Sequence, residues 1–412
     1  MTVLDLVEGG AAVDVAMAPE LGQLLAASDV VTAAPSVVAG WWTVAPAGKV
    51  GVIQIGGTRG PGGVGQTGGI EVWVRPKVDI RRLIFLLGYA ADPKGWRDTD
   101  VPLASAPGLL PALAQAFARQ AQRALAGGVL QGYRTVEEAL PVVRGRIRIA
   151  DQLRYRFGLP LPVEVSYDEF TTDITENRLL RAAAERLLRV PRVDAGARRT
   201  LRRLSSVTLA DVSHLPDRGR APGWQPTRLN ARYAVALRLA ELVLAAESFE
   251  HRRGDLRTSG FLFDMAKVFK DFVSVALREA LVPWGGRVAF QYRTDLDERG
   301  VVPMYPDIVW VRDGVPVAVL DAKYKAEKPS GFPQADLYQM HAYCTVLGLD
   351  AGHLVYARGN ESPARHRVVG SGTTIVCHAL DLDQAPAGVL SDVAAVADAA
   401  SASARRGAPP PR

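Results

Sequence analysis

The sequence predicts an α+β/α/β multidomain protein with a β-rich N-terminal domain, a helical middle region and a C-terminal α/β core. A length of 412 residues is enough for two or three domains, each with a sizeable core. Short apolar runs between glycines dominate the first part, and helical periodicity dominates the middle. After about Gly260, helices and strands alternate. We therefore expect domains at residues 1–128, 129–255 and 256–390, and a disordered Ala- and Pro-rich tail at 391–412.

Composition and charge limit the class of protein. Hydrophobic residues make up 48% of the chain and charged residues 22%, which is typical of a globular protein. Lys and Arg outnumber Asp and Glu by 49 to 43, which permits contact with a polyanion without requiring it. Cys344 and Cys377 form neither a disulfide framework nor a zinc spacing. Because the N-terminus is acidic and no apolar run reaches about 18 residues, we expect a cytoplasmic protein with no membrane partner.

The β-rich N-terminal domain is predicted from two apolar stretches that border a glycine-rich segment. The stretches are VGVIQI at residues 50–55 and IEVWVRPKV at residues 70–78. The segment between them, residues 56–69, has no GxxxxGK[ST] signature and no helix directly after it. We therefore interpret it as a hairpin loop rather than a nucleotide-binding loop.

The middle region is predicted to contain a helix from Glu176 to about Val190, because apolar residues recur there at helical spacing. Asp168, Glu169 and Asp173 precede this helix. We favour an acidic loop at a helix N-terminus over a second metal site for these three residues.

Basic residues of the middle region are candidates for contact with a nucleic-acid backbone. They include a cluster at a predicted turn and a series of arginines along two predicted helices. The alternative is a solvated polar face, because acidic residues are interleaved with them. The weak DNA-binding candidates are Arg144, Arg146 and Arg178 of this region and Lys325 of the C-terminal core.

The stretch with the clearest chemistry is residues 304–325, MYPDIVWVRDGVPVAVLDAKYK. It predicts two apolar strands joined by a turn at Asp313 and its neighbours. The first strand carries Asp307, and the second ends in Asp321, Ala322 and Lys323. Because side chains alternate faces along a strand, Asp321 and Lys323 point the same way. Two carboxylates and one ammonium would then converge at one edge of a sheet.

This convergence suits a divalent metal ion and a charged transition state. Asp307 and Asp321 would bind Mg²⁺, or alternatively Mn²⁺, and the backbone carbonyl of Ala322 would add a further ligand. Lys323 would orient the attacking water or stabilise the charge that develops on a phosphorane. The alternative without catalysis is a turn aspartate beside a strand-end salt bridge from Asp321 to Lys323.

Two predicted helices flank this pair of strands. The run FLFDMAKVFKDFVSVALREAL, residues 261–281, predicts one long amphipathic helix, on which Asp271 or Glu279 is a candidate for completing the metal shell. A helix after the lysine carries Gln339 and Tyr343. These two residues are four positions apart and share one helix face, so they are supporting candidates that position the DNA backbone or the metal shell.

The order of these elements resembles the core of the PD-(D/E)xK nucleases, and Gln339 with Tyr343 looks like the Q-xxx-Y element of their RecB-like branch. Several stretches together resemble the McrC family, the nuclease subunit of McrBC-type systems that restrict DNA carrying 5-methylcytosine. These stretches are LPVVRGRI (140–147), YDEFTTDITENRLL (167–180), FLFDMAKVFKDFV (261–273), YPDIVW with LDAKYK (305–325) and LYQMHAY (337–343).

This resemblance implies a Mg²⁺-dependent DNA endonuclease with catalytic positions at Asp307, Asp321 and Lys323. It also implies a partner, a McrB-like AAA+ GTPase hexamer that binds the GTP and reads modified cytosine in double-stranded DNA. The N-terminal domain of this chain would dock to that partner and stimulate its GTPase. Relatives often read FE where this chain has Phe269 and Lys270, so an acidic ligand on the first helix would depend on Asp271.

Two other functions remain open from the sequence. One is a self-sufficient RecB-like nuclease in DNA repair or recombination, and the other is a non-cutting, DNA-binding activator of a AAA+ ring. The intact set Asp307, Asp321 and Lys323 argues against the activator. A neighbouring reading frame that encodes a AAA+ GTPase would favour the partner-dependent nuclease over the self-sufficient one.

Overall fold

The computed structural model describes residues 2–28, 30–57, 69–91, 93, 109–157, 159–215, 222–253, 256–324, 334–357 and 364–406. These residues pack as two compact units, residues 1–100 with 246–412 and residues 101–245. This division differs from the boundaries expected at residues 128 and 255. Within the described ranges, no helix combines the length and the apolar character needed to cross a membrane.

The first unit begins with a three-stranded sheet, three strands of a five-stranded sheet and two helices. Its N-terminal elements are β1 (Thr2–Val7), β2 (Val13–Ala16), α1 (Pro19–Ala26), β3 (Val31–Pro35), β4 (Trp41–Pro46), β5 (Lys49–Gly57), β6 (Ile70–Arg75) and α2 (Ile80–Ala91). The second unit contains α3 (Leu109–Leu125), β7 (Gly132–Leu140), β8 (Arg146–Ile147), α4 (Ile149–Arg156), β9 (Val163–Thr171), α5 (Thr175–Leu188), α6 (Ala195–Arg203) and α7 (Ala234–Ala245).

The first unit then resumes and contains the six-stranded sheet. Its remaining elements are β10 (Glu247–Arg253), β11 (Leu256–Asp264), α8 (Met265–Leu281), β12 (Arg287–Phe290), β13 (Thr294–Asp295), β14 (Pro303–Met304), β15 (Ile308–Arg312), β16 (Val315–Lys323), α9 (Gln334–Leu347), β17 (Ala351–Ala357), β18 (Ala364–Arg367), β19 (Thr374–Leu380) and α10 (Pro386–Arg406).

A five-stranded sheet explains why the N-terminal segment belongs with the C-terminal core. Its strand order is β1-β6-β5-β11-β10, and β5 pairs antiparallel with β11 along its whole length. Gly51 of β5 has a φ of +139°, and a Cβ there would lie 2.1 Å from the carbonyl oxygen of Phe261. Only glycine fits such a close approach of two backbones. Residues 1–100 therefore need the strands at 247–264 to complete their sheet.

A six-stranded sheet forms the centre of the C-terminal core. Its order is β12-β15-β16-β17-β19-β18, with β16, β17 and β19 parallel and the other neighbours antiparallel. Asp313 and Gly314 both have positive φ and make the tight turn between β15 and β16. Met340 and Cys344 of α9 pack on one face of the sheet. The alternate strand residues are also buried, and α8 and α10 contact β16, so both faces are covered.

Helix α8 contacts β11 of the five-stranded sheet and β12 and β16 of the six-stranded sheet. Phe85 and Tyr89 of α2 contact Phe272 of α8, with ring centroids 5.5 and 5.6 Å apart. The helix begins at Met265 rather than at Phe261 as the apolar spacing predicted. Its first turn is capped by Asp264, whose Oδ1 accepts a hydrogen bond from the Lys267 amide at 3.0 Å. The preceding residues have a better partner in β5, and they extend β11 instead.

The expected disordered tail is helical up to Arg406, which corrects the prediction for residues 391–406. Alanine is the strongest helix former, and Val389, Val393 and Val396 recur at helical spacing and are buried. Residues 407–412 lie outside the described part of the chain. The alanine-rich composition therefore reflects a packed helix and not a segment without a core.

The second unit is a helical group with a sheet that the sequence did not predict at this size. Helices α3, α5, α6 and α7 pack together, and β7, β9 and β8 form a three-stranded antiparallel sheet. Three arginines of these helices are bound to backbone carbonyls. Arg181 donates to Ala210 at 3.0 Å, Arg186 to Leu244 at 2.9 Å and Arg198 to Val190 at 3.0 Å. The hydrogen bonds of these guanidinium groups connect loops and helix ends within the unit.

Candidate active site

The two strand-end aspartates are held side by side by the backbone of the hairpin. The Asp307 amide donates to Asp321 Oδ1 at 3.4 Å, and the Ala322 amide donates to Asp307 Oδ2 at 3.3 Å. Both aspartates are buried, with 8% and 3% of their surface exposed. The geometry therefore follows from the pairing of β15 with β16 and not from flexible side chains. The Ala322 amide faces the site, where the sequence had suggested its carbonyl as a ligand.

Two lysines neutralise the aspartates, one on each. Lys323 Nζ lies 2.5 Å from Asp321 Oδ2, and the ammonium of Lys270 forms an ion pair with Asp307 Oδ1. Burial, and after it the neighbouring Asp307 carboxylate, raise the pKa of Asp321 above its ordinary value. Two carboxylates taken out of water at such close range need positive charge nearby. Lys270 and Lys323 provide that positive charge within the protein.

Helix α9 fixes the position of the Lys323 ammonium. Gln339 Oε1 accepts a hydrogen bond from Lys323 Nζ at 2.8 Å, and Gln339 Nε2 donates to the Tyr343 hydroxyl at 2.9 Å. Burial and the two aspartates raise the pKa of Tyr343 to about 12, so its hydroxyl stays protonated at neutral pH. The two helix residues singled out by their four-residue spacing thus lie beside the predicted lysine.

The residue of α8 that reaches the aspartates is Lys270, and not Asp271. Asp271 is exposed, and the charged groups that act on it are Lys267, Lys270 and Asp264 of its own surroundings. Adjacent residues of a helix point about 100° apart, so only one of this pair can face the site. Glu279, the other acidic candidate, pairs with Arg278 at 3.5 Å. The structure thus shows Lys270, and not Asp271, in contact with Asp307, and a role of Asp271 in a metal shell stays a prediction.

Sequence reasoning missed two further residues at this site. Gln291 Nε2 donates to Asp307 Oδ1 at 3.0 Å from a residue with a φ of 47° just after β12. Asp336 is 3% exposed, lies 3.8 Å from Lys323 Nζ and accepts a hydrogen bond from the Tyr356 hydroxyl at 3.3 Å. Asp336 had a signal, because it lies three residues before Gln339 on the same helix face. The sequence holds no comparable signal for Gln291 beyond its place after a strand.

The donor set at the strand ends matches a small divalent cation. Asp307 and Asp321 offer hard carboxylate oxygens, which Mg²⁺ and Mn²⁺ prefer. Mg²⁺ commonly takes one or two protein carboxylates and keeps water in its other positions. Across the described residues, no group of three or more His, Cys, Asp or Glu side chains is arranged to hold a metal ion. The two aspartates are therefore the candidate protein ligands.

The weak DNA-binding candidates differ in what their side chains contact. Arg178 donates two hydrogen bonds to Asp173, at 2.7 and 2.6 Å, and this pairing holds the pKa of Asp173 well below its ordinary value. Arg144 stacks over the Tyr167 ring at 3.9 Å, and Arg146 is exposed on β8. Lys325 lies outside the described residues. Arg178 and its acidic neighbour thus hold the start of α5 together, which accounts for both residues without a ligand.

The residue that follows the active-site lysine is anchored to the N-terminal part of the same unit. The Tyr324 hydroxyl donates to Glu8 Oε2 at 3.1 Å, and the Lys77 amide donates to the same oxygen at 3.3 Å. Burial comes first among the causes that raise the pKa of Glu8 and of Tyr324. The Tyr324 ring also contacts Phe269, the neighbour of Lys270. Residues near the N-terminus therefore help to place the end of β16.

Comparison with known proteins gives a family and a fold. A family model described as "McrBC 5-methylcytosine restriction system component" matches residues 48–357. One chain of a refined half-complex from a tetradecameric assembly of Thermococcus gammatolerans McrB AAA+ hexamers with bound McrC superposes with a TM-score of 0.56 at 18% identity, covering 97% of this chain and 100% of that chain. A chain of the cryo-EM structure of the Thermococcus gammatolerans McrBC complex superposes with a TM-score of 0.39 at 20% identity. That match covers 68% of this chain and 88% of that chain. No curated protein matches significantly.

Proposed function

Since the chain belongs to the McrBC family of 5-methylcytosine restriction system components, we propose that it is the DNA-cutting subunit of such a system. In this proposal it hydrolyses phosphodiester bonds of double-stranded DNA carrying modified cytosine. It acts together with a McrB-like AAA+ partner that hydrolyses GTP. The observation that carries the proposal is the convergence of Asp307, Asp321 and Lys323 at the paired ends of β15 and β16.

The surrounding fold supports a nuclease of the PD-(D/E)xK type. A helix, an antiparallel hairpin, a second helix and a parallel strand follow one another as α8, β15 with β16, α9 and β17. The two aspartates and the lysine lie on the hairpin of this series. The supporting residues Gln339 and Tyr343 lie on the helix that follows it. In this proposal the catalytic groups act together where the start of β15 meets the end of β16 in the six-stranded sheet.

Each residue has a task in the proposed reaction. Hydrolysis joins a water oxygen to phosphorus and breaks the bond to one bridging oxygen; the water gives up a proton, and the leaving oxygen takes one up. Asp307 and Asp321 would hold a Mg²⁺ ion, which when bound supplies charge that polarises the phosphate and acidifies water. Lys323, fixed by Gln339, would hold the attacking water or the charged phosphate oxygen. Burial of both aspartates keeps competing bulk water away from their oxygens.

A partner is proposed because of an exposed apolar surface on the second unit. The three-stranded sheet and α4 carry large apolar side chains that solvent reaches, which is unusual on a protein that acts alone. Phe157 is 90% exposed and Tyr133 78%. We give the name apolar patch to six exposed side chains of these elements, among which the rings of Tyr133 and Phe170 are in contact: Tyr133, Ile149, Leu153, Phe157, Leu161 and Phe170. We propose that the AAA+ partner docks here, where the sequence had placed docking within residues 1–128.

The test is a cleavage assay on methylated and unmodified DNA, with and without the AAA+ protein encoded beside this chain. We expect cleavage of methylated DNA only when the chain, the partner, GTP and Mg²⁺ are all present. Asp307→Asn and Lys323→Met should each reduce cleavage by at least about 100-fold, because each removes charge from the transition state. Both variants should still stimulate the partner's GTPase.

The matched control is Asp313→Asn, which removes a carboxylate from the turn of the same hairpin. Asparagine tolerates the positive φ of 50° at this position, so the turn should persist and cleavage should be unchanged. Efficient cutting of DNA by the chain alone would show a self-sufficient nuclease. Full cleavage by Asp307→Asn would refute the proposed active site.

A further inference from the structure

We propose that Lys270 is a second active-site cation, which contacts the scissile phosphate and, by pairing with Asp307, limits the centre to one divalent metal ion. This inference rests on the proposed function and concerns the same site. Neither the strand pattern nor the aspartate–lysine spacing points to Lys270, because it lies on α8, outside the hairpin.

The contacts of Asp307 show how Lys270 competes with a metal ion. Asp307 Oδ1 faces the Lys270 ammonium and also accepts the hydrogen bond of Gln291. Asp307 Oδ2 accepts the Ala322 amide. A cation that binds Asp307 must therefore share these oxygens with a fixed positive charge, which weakens its binding.

The exposure of these side chains makes the Lys270 ammonium accessible to a substrate. The Lys270 side chain is 33% exposed, whereas that of Asp307 is 11% exposed and that of Lys323 is 16% exposed. Lys270 is thus the ammonium that an approaching phosphodiester meets most readily. Its four-carbon stem gives it the reach to remain near Asp307 while donating to a phosphate oxygen.

The charge balance of the site favours one metal ion. The charges of Asp307 and Asp321 are matched by those of Lys270 and Lys323. One divalent ion would then balance a phosphodiester anion and a hydroxide nucleophile. A second divalent ion would leave an excess of two positive charges and would need further acidic ligands. Asp336, a further buried carboxylate beside Lys323, is already engaged by Tyr356 at 3.3 Å.

The experiment measures Mn²⁺ binding to the full-length chain by calorimetry, and separately cleavage by the complete assembly at saturating Mn²⁺. We expect one Mn²⁺ per wild-type chain. Lys270→Met should bind Mn²⁺ about tenfold more tightly, because the competing charge is gone. It should nevertheless cleave about 100-fold more slowly at saturating metal, because a charge that stabilises the transition state is also gone.

Two further variants separate charge from structure. Lys270→Arg keeps the positive charge and should retain Mn²⁺ affinity within about threefold. Lys270→Glu adds a third carboxylate and should bind a second Mn²⁺. Lys267→Met, one turn earlier on the same helix and exposed, is the matched control and should change neither quantity.

The outcomes distinguish this inference from the function on which it rests. If the wild type binds no Mn²⁺, or if Asp307→Asn binds it equally well, the proposed metal centre itself is refuted. If the wild type binds Mn²⁺ at Asp307 but Lys270→Met changes neither affinity nor saturated cleavage, Lys270 has no role and only this inference fails. Undiminished cleavage by Lys270→Met at saturating metal overturns the catalytic role even where the metal binds more tightly.

Discussion

At the scale of single residues, His353 and His378 form a pair on the neighbouring strands β17 and β19, in which His353 is buried and His378 is half-buried. Nδ1 of His353 lies 3.0 Å from Nε2 of His378, and the rings stack. Burial, then His378 and Arg365, lowers the pKa of His353 to about 3, and burial with Arg365 lowers that of His378 to about 4. Both imidazoles are therefore neutral in the folded protein at any pH near neutrality.

This pair predicts loss of stability in mild acid. The unfolded chain takes up protons on both rings as the pH falls through about 6.5, whereas the folded protein does not. The stability that the neutral pair contributes is therefore present above about pH 6.5 and is lost progressively below it. We expect the first unit to be about 2 kcal/mol less stable at about pH 5.5 than at about pH 7.5.

Urea unfolding over this pH range measures the effect. His378→Gln keeps a polar side chain of similar size but does not titrate, so it should reduce the slope of stability against pH. His366→Gln, on the exposed strand β18 of the same sheet, is the control and should leave the slope unchanged. A wild-type stability that stays constant down to about pH 5.5 would contradict the neutral pair.

At the scale of secondary-structure elements, the contact between α9 and β17 fixes the helix that carries Gln339 and Tyr343. Gly352 lies where the two elements cross, and a Cβ there would be 2.4 Å from Met340 Sδ and 2.6 Å from Cys344 Sγ. The close approach lets Met340 and Cys344 pack directly on the sheet. The position of the helix, and with it that of the Lys323 ammonium, therefore depends on a residue with no side chain.

Gly352→Ala should destabilise the first unit by about 1–3 kcal/mol, because the added methyl overpacks the core. Thermal unfolding followed by circular dichroism measures this. Met340→Ala opens space at the same point, so the double variant should be more stable than the sum of the two single effects predicts. Gly223→Ala, where a Cβ meets nothing within 4 Å, is the control. Strict additivity of the two changes would show that the clash is relieved elsewhere.

The helix α8 shows how far local patterns predict an element. Its apolar spacing predicted the buried residues Phe269, Phe272 and Val273, which the structure places in the core. The same spacing continued through Phe261 and Phe263, which lie in β11 because β5 pairs with them. Where a short apolar run fits both the helical and the strand period, pairing with a distant strand decides which element forms. The start of the helix was therefore less predictable than its core face.

The division into units has consequences at the scale of the whole molecule. The sheet of residues 1–100 is completed by β10 and β11, and α3 packs with α5, α6 and α7. A fragment of residues 1–128 should therefore not fold, because β5 loses its pairing with β11 and α3 loses its helical neighbours. A fragment of residues 109–245 should fold, because it retains the contacts of the second unit.

Circular dichroism melts and limited proteolysis of the two purified fragments test this prediction. We expect a cooperative transition and a protease-resistant product for 109–245 only. A cooperative melt of 1–128 would show that the N-terminal part forms an independent domain after all. The full chain provides the reference for both measurements.

Partner docking through the apolar patch is also a prediction for the whole molecule. Leu153→Gln with Phe157→Asn should remove most of the stimulation of the partner's GTPase, because apolar anchors dominate protein interfaces. Both residues are largely exposed, and asparagine accepts the positive φ at position 157, so the fold should persist. Val369→Asn, at another exposed apolar site, in the first unit, is the control. Unchanged stimulation by the double variant would place docking elsewhere.

The sequence by itself determined the hairpin of β15 and β16 and the residues that it brings together. Strand alternation and a tight turn are local, so Asp307, Asp321 and Lys323 were predictable from a stretch of the chain. Only the tertiary structure decided that Lys270 and Gln291 contact Asp307, that Glu8 anchors Tyr324 and that β5 pairs with β11. These contacts join residues far apart in the chain, and no local periodicity specifies which distant strand or helix will cover a buried charge.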